Sequence, residues 1–199
     1  MGYGASKMMM EKCALNFFTE YGLDITILRA CWFYGPHQPL RQTKFFRLVR
    51  EGKFPFVGNG ENKRSLSYVD DLCRAMVLAV ANPISQGKIY WIADKAPYSM
   101  NTIIDTVAAS LKEDFGIKVA FSRVKLPGFV GSLAYFTDLT LQKLGFYNKE
   151  IHVLSEMNKN IACSIERAER ELAFIPSRTL REGMRTSIEW CLKNGYEIS

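Results

Sequence analysis

Tyr3 and Lys7 stand four residues apart, so on a helix their side chains share one face. A phenol titrates at about pH 10 and is a poor base in neutral water. An ammonium group beside it favours the phenolate. Such a pair can take a proton from a carbinol, or give one to a carbonyl, while a hydride leaves or joins the same carbon. Of the nine tyrosines, Tyr3 alone has a lysine four positions later. On spacing alone, an ordinary surface pair on a helix explains these two residues equally well. Glu11, one turn beyond Lys7, reads as a helix charge or a supporting partner rather than a catalyst. The adjacent Asp70 and Asp71 have no ligand-like residue near them in sequence and read as the start of a helix rather than a metal site.

Helix and strand periodicities alternate along the chain, which predicts an α/β protein. Apolar residues Met10, Cys13, Ala14, Phe17, Phe18 and Tyr21 recur at helical spacing from Tyr3 onward, with Gly22 as a left-handed cap. Ile25 to Ala30 suits a strand buried on both faces. Tyr34-Gly35-Pro36 breaks the chain before a helix near Arg41 to Glu51. Gly58-Asn59-Gly60 reads as a tight turn between short strands near Phe56-Val57 and Ser65 to Tyr68. Asp70 or Asp71 opens a helix that Pro83 stops, and Lys88 to Ala93 is the next strand. Ser99 caps a helix to about Asp114, and Lys118 to Val124 alternates like a strand. A helix from about Pro127 to Leu144 follows, and Glu150 to Met157 is ambiguous. Ser164 caps a helix to about Leu172, and Thr179 with Glu182 makes a capping box for the last helix.

Composition narrows the classes. The chain has 199 residues, 48% apolar and 23% charged, which excludes a disordered or low-complexity chain. No apolar run approaches the roughly 18 residues a membrane span needs, and no basic start leads into a short apolar segment. Met1-Gly2 with Ser6 fits a myristoylation pattern, but those positions overlap the Tyr-x-x-x-Lys stretch, so a lipid anchor is the weaker reading. The net charge of +6 favours anionic partners: nucleotides, phosphates, nucleic acid or a membrane surface. Arg41, Lys44, Arg47, Arg50 and Lys53 form a drifting stripe better explained as a solvated helix face, without the aromatic interleaving of a nucleic-acid module. Five cysteines without a Cys-x-x-Cys pair, and two histidines, argue against zinc and for reduced, mostly buried thiols in a cytoplasmic protein.

Four ordered motifs carry a family resemblance. Tyr3-Gly4-Ala5-Ser6-Lys7 with Glu11 resembles the active-site helix of the extended short-chain dehydrogenase/reductase family, which includes NAD-dependent sugar epimerases and dehydratases. Ile27-Leu28-Arg29-Ala30-Cys31-Trp32-Phe33-Tyr34-Gly35-Pro36 resembles its next motif, an Arg-led strand ending in Tyr-Gly-Pro. Gly52-Lys53-Phe54-Pro55, Gly58-Asn59-Gly60, Arg64 and Tyr68-Val69-Asp70-Asp71 are similar to the third block. Ala168, Glu171-Leu172 and Pro176 are similar to the closing pattern.

The resemblance implies the C-terminal part of a Rossmann-like doubly wound sheet plus a small α/β substrate-binding domain. Residues 1–36 and 70–98 would be the remnant of the NAD(P)-binding domain, and residues 37–69 and 99–199 the substrate-binding region. It implies Tyr3 as acid/base and Lys7 as its tuner and a ligand of the cofactor ribose. Ala30, Cys31 and Phe33 would lie near the nicotinamide of NAD or NADP. Arg64 would hold a substrate diphosphate, where a guanidinium fork suits two oxygens. Trp32, His37, Gln38 and Arg41 are further candidate substrate contacts. The implied substrate is a nucleotide sugar. Trp32 stands where sugar-specific members commonly carry Asn, which keeps an apolar substrate open, as in 3β-hydroxysteroid dehydrogenases or dihydroflavonol reductases. The match begins at the catalytic helix, so the glycine-rich dinucleotide loop is expected to lie elsewhere. The chain alone is then expected to bind NAD weakly, to be inactive and to be poorly soluble, and a non-catalytic remnant is the third reading. Met8, Met9 and Phe18 are spare apolar positions for a homodimer contact on the same helix.

Overall fold

The structure, a computed structural model, describes residues 3–120, 122, 124–146, 148–157 and 159–198, with backbone alone at residues 3, 41, 42, 56, 125, 149 and 150. Helix α1 (Tyr3–Tyr21) leads into β1 (Thr26–Ala30), β2 (Trp32–Tyr34) and α2 (Leu40–Arg50). Strands β3 (Pro55–Val57), β4 (Lys63–Arg64) and β5 (Leu66–Tyr68) precede α3 (Val69–Ala81). After β6 (Lys88–Ile92) and β7 (Tyr98–Ser99) come α4 (Met100–Ala109), β8 (Val124–Leu126), α5 (Gly128–Lys143), α6 (Lys149–Glu156), α7 (Glu166–Leu172) and α8 (Leu180–Lys193).

Among the described residues the strands meet in four pairs. β1 runs parallel to β6, with Thr26 opposite Lys88 and Ala30 opposite Ile92. β2 runs parallel to β5, β3 parallel to β8, and β4 antiparallel to β7. Two clusters of buried side chains hold the pairs together. One gathers Tyr34, Phe46, Leu66 and Tyr68 with Ile103, Leu180, Met184 and Ile188 from α4 and α8. The other packs Ala75 and Ala79 of α3 and Tyr90 and Ile92 of β6 against Ile165, Ala168, Leu172 and Phe174. No described helix is long and apolar enough to cross a membrane.

Caps set by nearby residues form as expected. Gly22 takes φ +68° and its N–H donates to the Phe18 carbonyl. The Ser99 hydroxyl accepts from the Thr102 amide, and Thr179 with Glu182 closes a full capping box. Residues 149–156, ambiguous in sequence, are helical behind the Asn148 cap.

Several expectations are corrected. β1 is half-buried along its whole length rather than buried on both faces, because β6 is its one ladder partner among the described residues. The inward face of α1 is Glu11, Ala14, Leu15 and Phe18; Met10, Cys13, Phe17 and Tyr21 are exposed. The strands flanking Gly58–Gly60 do not pair with each other, since β3 joins β8 and β5 joins β2. Residues 117–120 keep an alternating burial but form no strand; Ile117 and Val119 pack on the core, and strand pairing begins at Val124. Helix α3 starts at Val69, so Asp70 and Asp71 sit in its first turn instead of capping it. Asp71 is buried, and its carboxylate accepts both the amide and the hydroxyl of Ser177. Ser164 bonds the Glu166 amide, but Ile165 is the residue at the helix boundary. The thiols are not mostly buried: Cys13 and Cys73 are exposed, Cys31 and Cys163 half-buried, and only Cys191 is buried.

Candidate functional site

The site grows from the junction of α1 with β1. Arg29 points from β1 to Glu11 of α1, with Nε 2.9 Å from Oε1 and Nη2 2.5 Å from Oε2. This fork-to-fork geometry satisfies both carboxylate oxygens at once. The hydrogen bond from Arg29 holds the Glu11 carboxyl below its ordinary range, partly opposed by burial. The Arg29 guanidinium also lies over the Trp91 ring, 5.1 Å from its centre. Lower on the helix, Phe18 covers the turn at Gly87, where an added Cβ would come within 2.4 Å of the ring. Lys7 is one helical turn before Glu11 and is exposed. Tyr3 is the first residue of α1, and its side chain lies outside the described residues.

From the end of β1 the chain steps through Cys31 into β2. The Cys31 amide donates to the Ser67 hydroxyl at 3.0 Å, and that hydroxyl donates to the Ile92 carbonyl at 2.6 Å. One serine on β5 thereby ties the ends of β1 and β6. Trp32 is half-buried and meets Phe45 edge-on at 5.2 Å, so its indole belongs in large part to the core. Phe33 is 37% exposed. Tyr34 is buried, and its hydroxyl donates to Asp94 at 2.8 Å. Asp94 is 4% exposed; burial pushes its carboxyl up to about 6, against the opposing hydrogen bonds from Tyr34 and Tyr98. Burial and the same carboxylate push both phenols above their ordinary range, so both remain donors. At Gly35, with φ +131°, a Cβ would meet Val69 Cγ1 at 2.5 Å; the close turn requires glycine.

The remaining candidates separate. His37 adopts φ +60° and its exposed ring leans on Trp190 at 5.2 Å. Gln38 is 5% exposed, and its amide donates to Cys191 Sγ at 3.0 Å, a core contact. Arg41 is the second residue of α2, and its side chain lies outside the described residues. Arg64 stands on β4 opposite Tyr98, and its Nη2 donates to the Glu156 carbonyl at the end of α6. Burial lowers the pKa of its guanidinium. The structure thus joins Arg29 of β1 to Glu11 of α1, and ties Cys31 to Ser67 and Cys163, while Gln38 packs on Cys191 of α8 and Arg64 sits against the end of α6. Sequence reasoning passed over Ser65, Ser67 and Asp94. An alternating Ser-x-Ser within an apolar strand, and an Asp directly after one, are the signals that could have found them.

Residues 1–93 match the model of the NAD dependent epimerase/dehydratase family. An uncharacterised protein of Sinorhizobium fredii is 50% identical over 199 residues, 99% of this chain and 56% of that protein. A dTDP-glucose 4,6-dehydratase of Streptomyces griseus is 26% identical, across 96% of this chain and 50% of the enzyme. The crystal structure of a UDP-glucose 4-epimerase of Thermotoga maritima superposes with a TM-score of 0.69 at 25% identity, over 96% of this chain and 53% of the epimerase. The chain spans about half the length of the curated relatives it matches, and its α/β architecture is that of Rossmann-type epimerases.

Proposed function

Because this chain belongs to the NAD dependent epimerase/dehydratase family, within the extended short-chain dehydrogenases/reductases, we propose that it supplies the acid/base and substrate side of an enzyme that moves a hydride reversibly at a carbinol or carbonyl carbon of a nucleotide sugar. The observation that carries the reading is the Glu11–Arg29 fork. It fixes the helix bearing Tyr3 and Lys7 against the strand that runs into Trp32-Phe33-Tyr34-Gly35-Pro36, and so joins two of the sequence motifs at one spot.

The chain's residues fit one end of a dinucleotide and not the other. Tyr3, Lys7 and the backbone at Ala30 and Cys31 suit the nicotinamide end, although the Cys31 amide is already committed to Ser67. Among the described residues the pyrophosphate end is not matched: a diphosphate needs a glycine-rich turn at a helix N-terminus, none of the described helices follows one, and α3 opens with two aspartates. A nicotinamide held at the first end would supply the hydride acceptor and donor. Tyr3 exchanges the proton at the substrate oxygen through its phenol, and Lys7 favours the deprotonated phenol from the next turn. The Glu11–Arg29 fork anchors α1, which carries both residues, to β1. Arg64 offers its further guanidinium donors to the substrate diphosphate, one being used by Glu156. Trp32 packs on Phe45, which leaves little of it to line an apolar pocket and favours the sugar over a sterol. Met8 and Met9, 66% and 52% exposed, offer a contact to a second copy; Phe18 is engaged with Gly87.

The test is Tyr3→Phe in the protein as its gene encodes it, given NAD with UDP-glucose or dTDP-glucose and followed by product chromatography. A loss of about 10²- to 10⁴-fold in kcat, with NAD binding and melting unchanged, is expected. Full turnover by the phenylalanine variant, or no turnover of any nucleotide sugar by the unmodified protein, overturns the proposal.

A further inference from the structure

Cys31 and Cys163 are 132 positions apart in sequence, yet their sulfurs lie 3.3 Å from each other. Two serines on one strand run create this meeting. Ser65 and Ser67 are two residues apart, so in extended chain their side chains share one face. The Ser67 hydroxyl accepts from the Cys31 amide at 3.0 Å, and the Ser65 hydroxyl accepts from the Cys163 amide at 3.1 Å. The backbone of the second cysteine's segment is also fixed: Ile161 donates to the Lys63 carbonyl, and Ser65 donates to the Ile161 carbonyl. Both cysteines are therefore positioned by main-chain bonds to the same run of residues, and neither sulfur relies on a long flexible side chain. Both are half-buried, while Cys191 is sealed in the core with Gln38 and Thr43 on its sulfur. Cys13 and Cys73 are exposed on the outer sides of α1 and α3.

We propose that Cys31 and Cys163 form a reversible disulfide, making the end of β1 a redox-modification site that takes a small disulfide such as oxidised glutathione as its oxidant. The Cys163 thiolate attacks one sulfur of the glutathione disulfide, forming a mixed disulfide and releasing one glutathione thiolate. Cys31 then gives up its proton and attacks the Cys163 sulfur, forming the protein disulfide and releasing the second glutathione thiolate. Two electrons pass from the two protein thiols to the oxidant, and the two protons end on the two glutathione molecules. The order of attack follows from the pair itself. With Cys31 donating its S–H, the Cys163 thiol is lowered and Cys31 raised, and the Ser65 hydroxyl further favours a Cys163 thiolate. The modification does not depend on the proposed catalytic function, since it needs only the folded chain and an oxidant.

The experiment is a tryptic map under non-reducing conditions, on protein carrying Cys13→Ser and Cys73→Ser so that the exposed thiols cannot compete. After incubation of the native protein with oxidised glutathione, the map should contain one linked species joining residues 30–41 to residues 160–167. The intact mass should fall by two hydrogens, and one free thiol, Cys191, should remain of the three left by the two substitutions. Dithiothreitol should reverse all of this. The same linked peptide is sought in the protein with all five cysteines, which guards against misfolding of the double variant. Cys31→Ser should leave Cys163 as a stable mixed disulfide with glutathione. A protein with native circular dichroism that yields only free thiols, or only mixed disulfides at both positions, overturns the inference.

Discussion

Replacing Asp94 by Asn should change how stability depends on pH in a calculable way. Asp94 follows β6, donates its amide to the Leu66 carbonyl at 2.7 Å and accepts from the Tyr34 hydroxyl at 2.8 Å. Burial raises its carboxyl from 3.8 to about 6, with the nearby Asp71 adding to the shift and hydrogen bonds from Tyr34, Tyr98 and the Tyr68 backbone opposing it. A raised value means that the folded chain binds this proton more tightly than the unfolded chain. The contribution to stability is then fully present below about pH 4 and is lost as pH rises through about 6. The shift of roughly two units corresponds to about 3 kcal/mol, at about 1.4 kcal/mol per unit. Asn keeps an acceptor for Tyr34 and removes the proton exchange. Urea unfolding followed by circular dichroism should be run on both proteins at several values between pH 4 and pH 8. The unmodified protein's stability minus that of Asp94→Asn should fall by about 3 kcal/mol from the acid to the neutral end. Titrating groups that do not interact with Asp94 cancel in this difference. Parallel profiles would show that Asp94 titrates as it does in water, and that the buried Tyr34–Asp94–Tyr98 cluster is wetter than described.

Two further outcomes follow from packing. Gly183→Ala would bring a Cβ within 2.4 Å of the buried Tyr34 ring, which Asp94 holds in place; the expected net loss is about 1–2 kcal/mol, since crowding exceeds the helix-propensity gain, and a raised melting temperature would sink the idea. Glu11→Gln breaks one side of a partly exposed fork, so unfolding free energy should drop by about 1 kcal/mol or less; hydrogen exchange in α1 should quicken selectively, and unchanged α1 protection would count against the proposed role of that pair.

What could be read from sequence was what neighbours in the chain decide. The Thr179–Glu182 box and the Gly22 cap involve partners three or four residues away, and both form. The α1 helix was legible too, but its facing was not: apolar residues occur on both sides, and the residue that chooses the inward side is charged Glu11, whose partner Arg29 is 18 positions on. The strands around Gly58 were recognisable, whereas their partners come from residues 32–34 and 124–126. Gln38 looked like a loop residue facing a ligand because it follows Tyr-Gly-Pro; its burial is decided by Cys191 on the last helix. The serine pair that brings Cys31 to Cys163 had no local signature beyond its alternation.

The four ladders have a mechanical consequence. No strand is shared between two of the seams among the described residues; the β1–β6 seam meets β5 through Ser67 and through the Asp94 amide on the Leu66 carbonyl. An insertion in the turn between β3 and β4 would therefore strain the β3–β8 and β4–β7 pairs while leaving the five-rung β1–β6 seam under α1 in step. In the proposed function, Arg64 stands on a seam that such an insertion strains, and α1 covers the seam that stays in step.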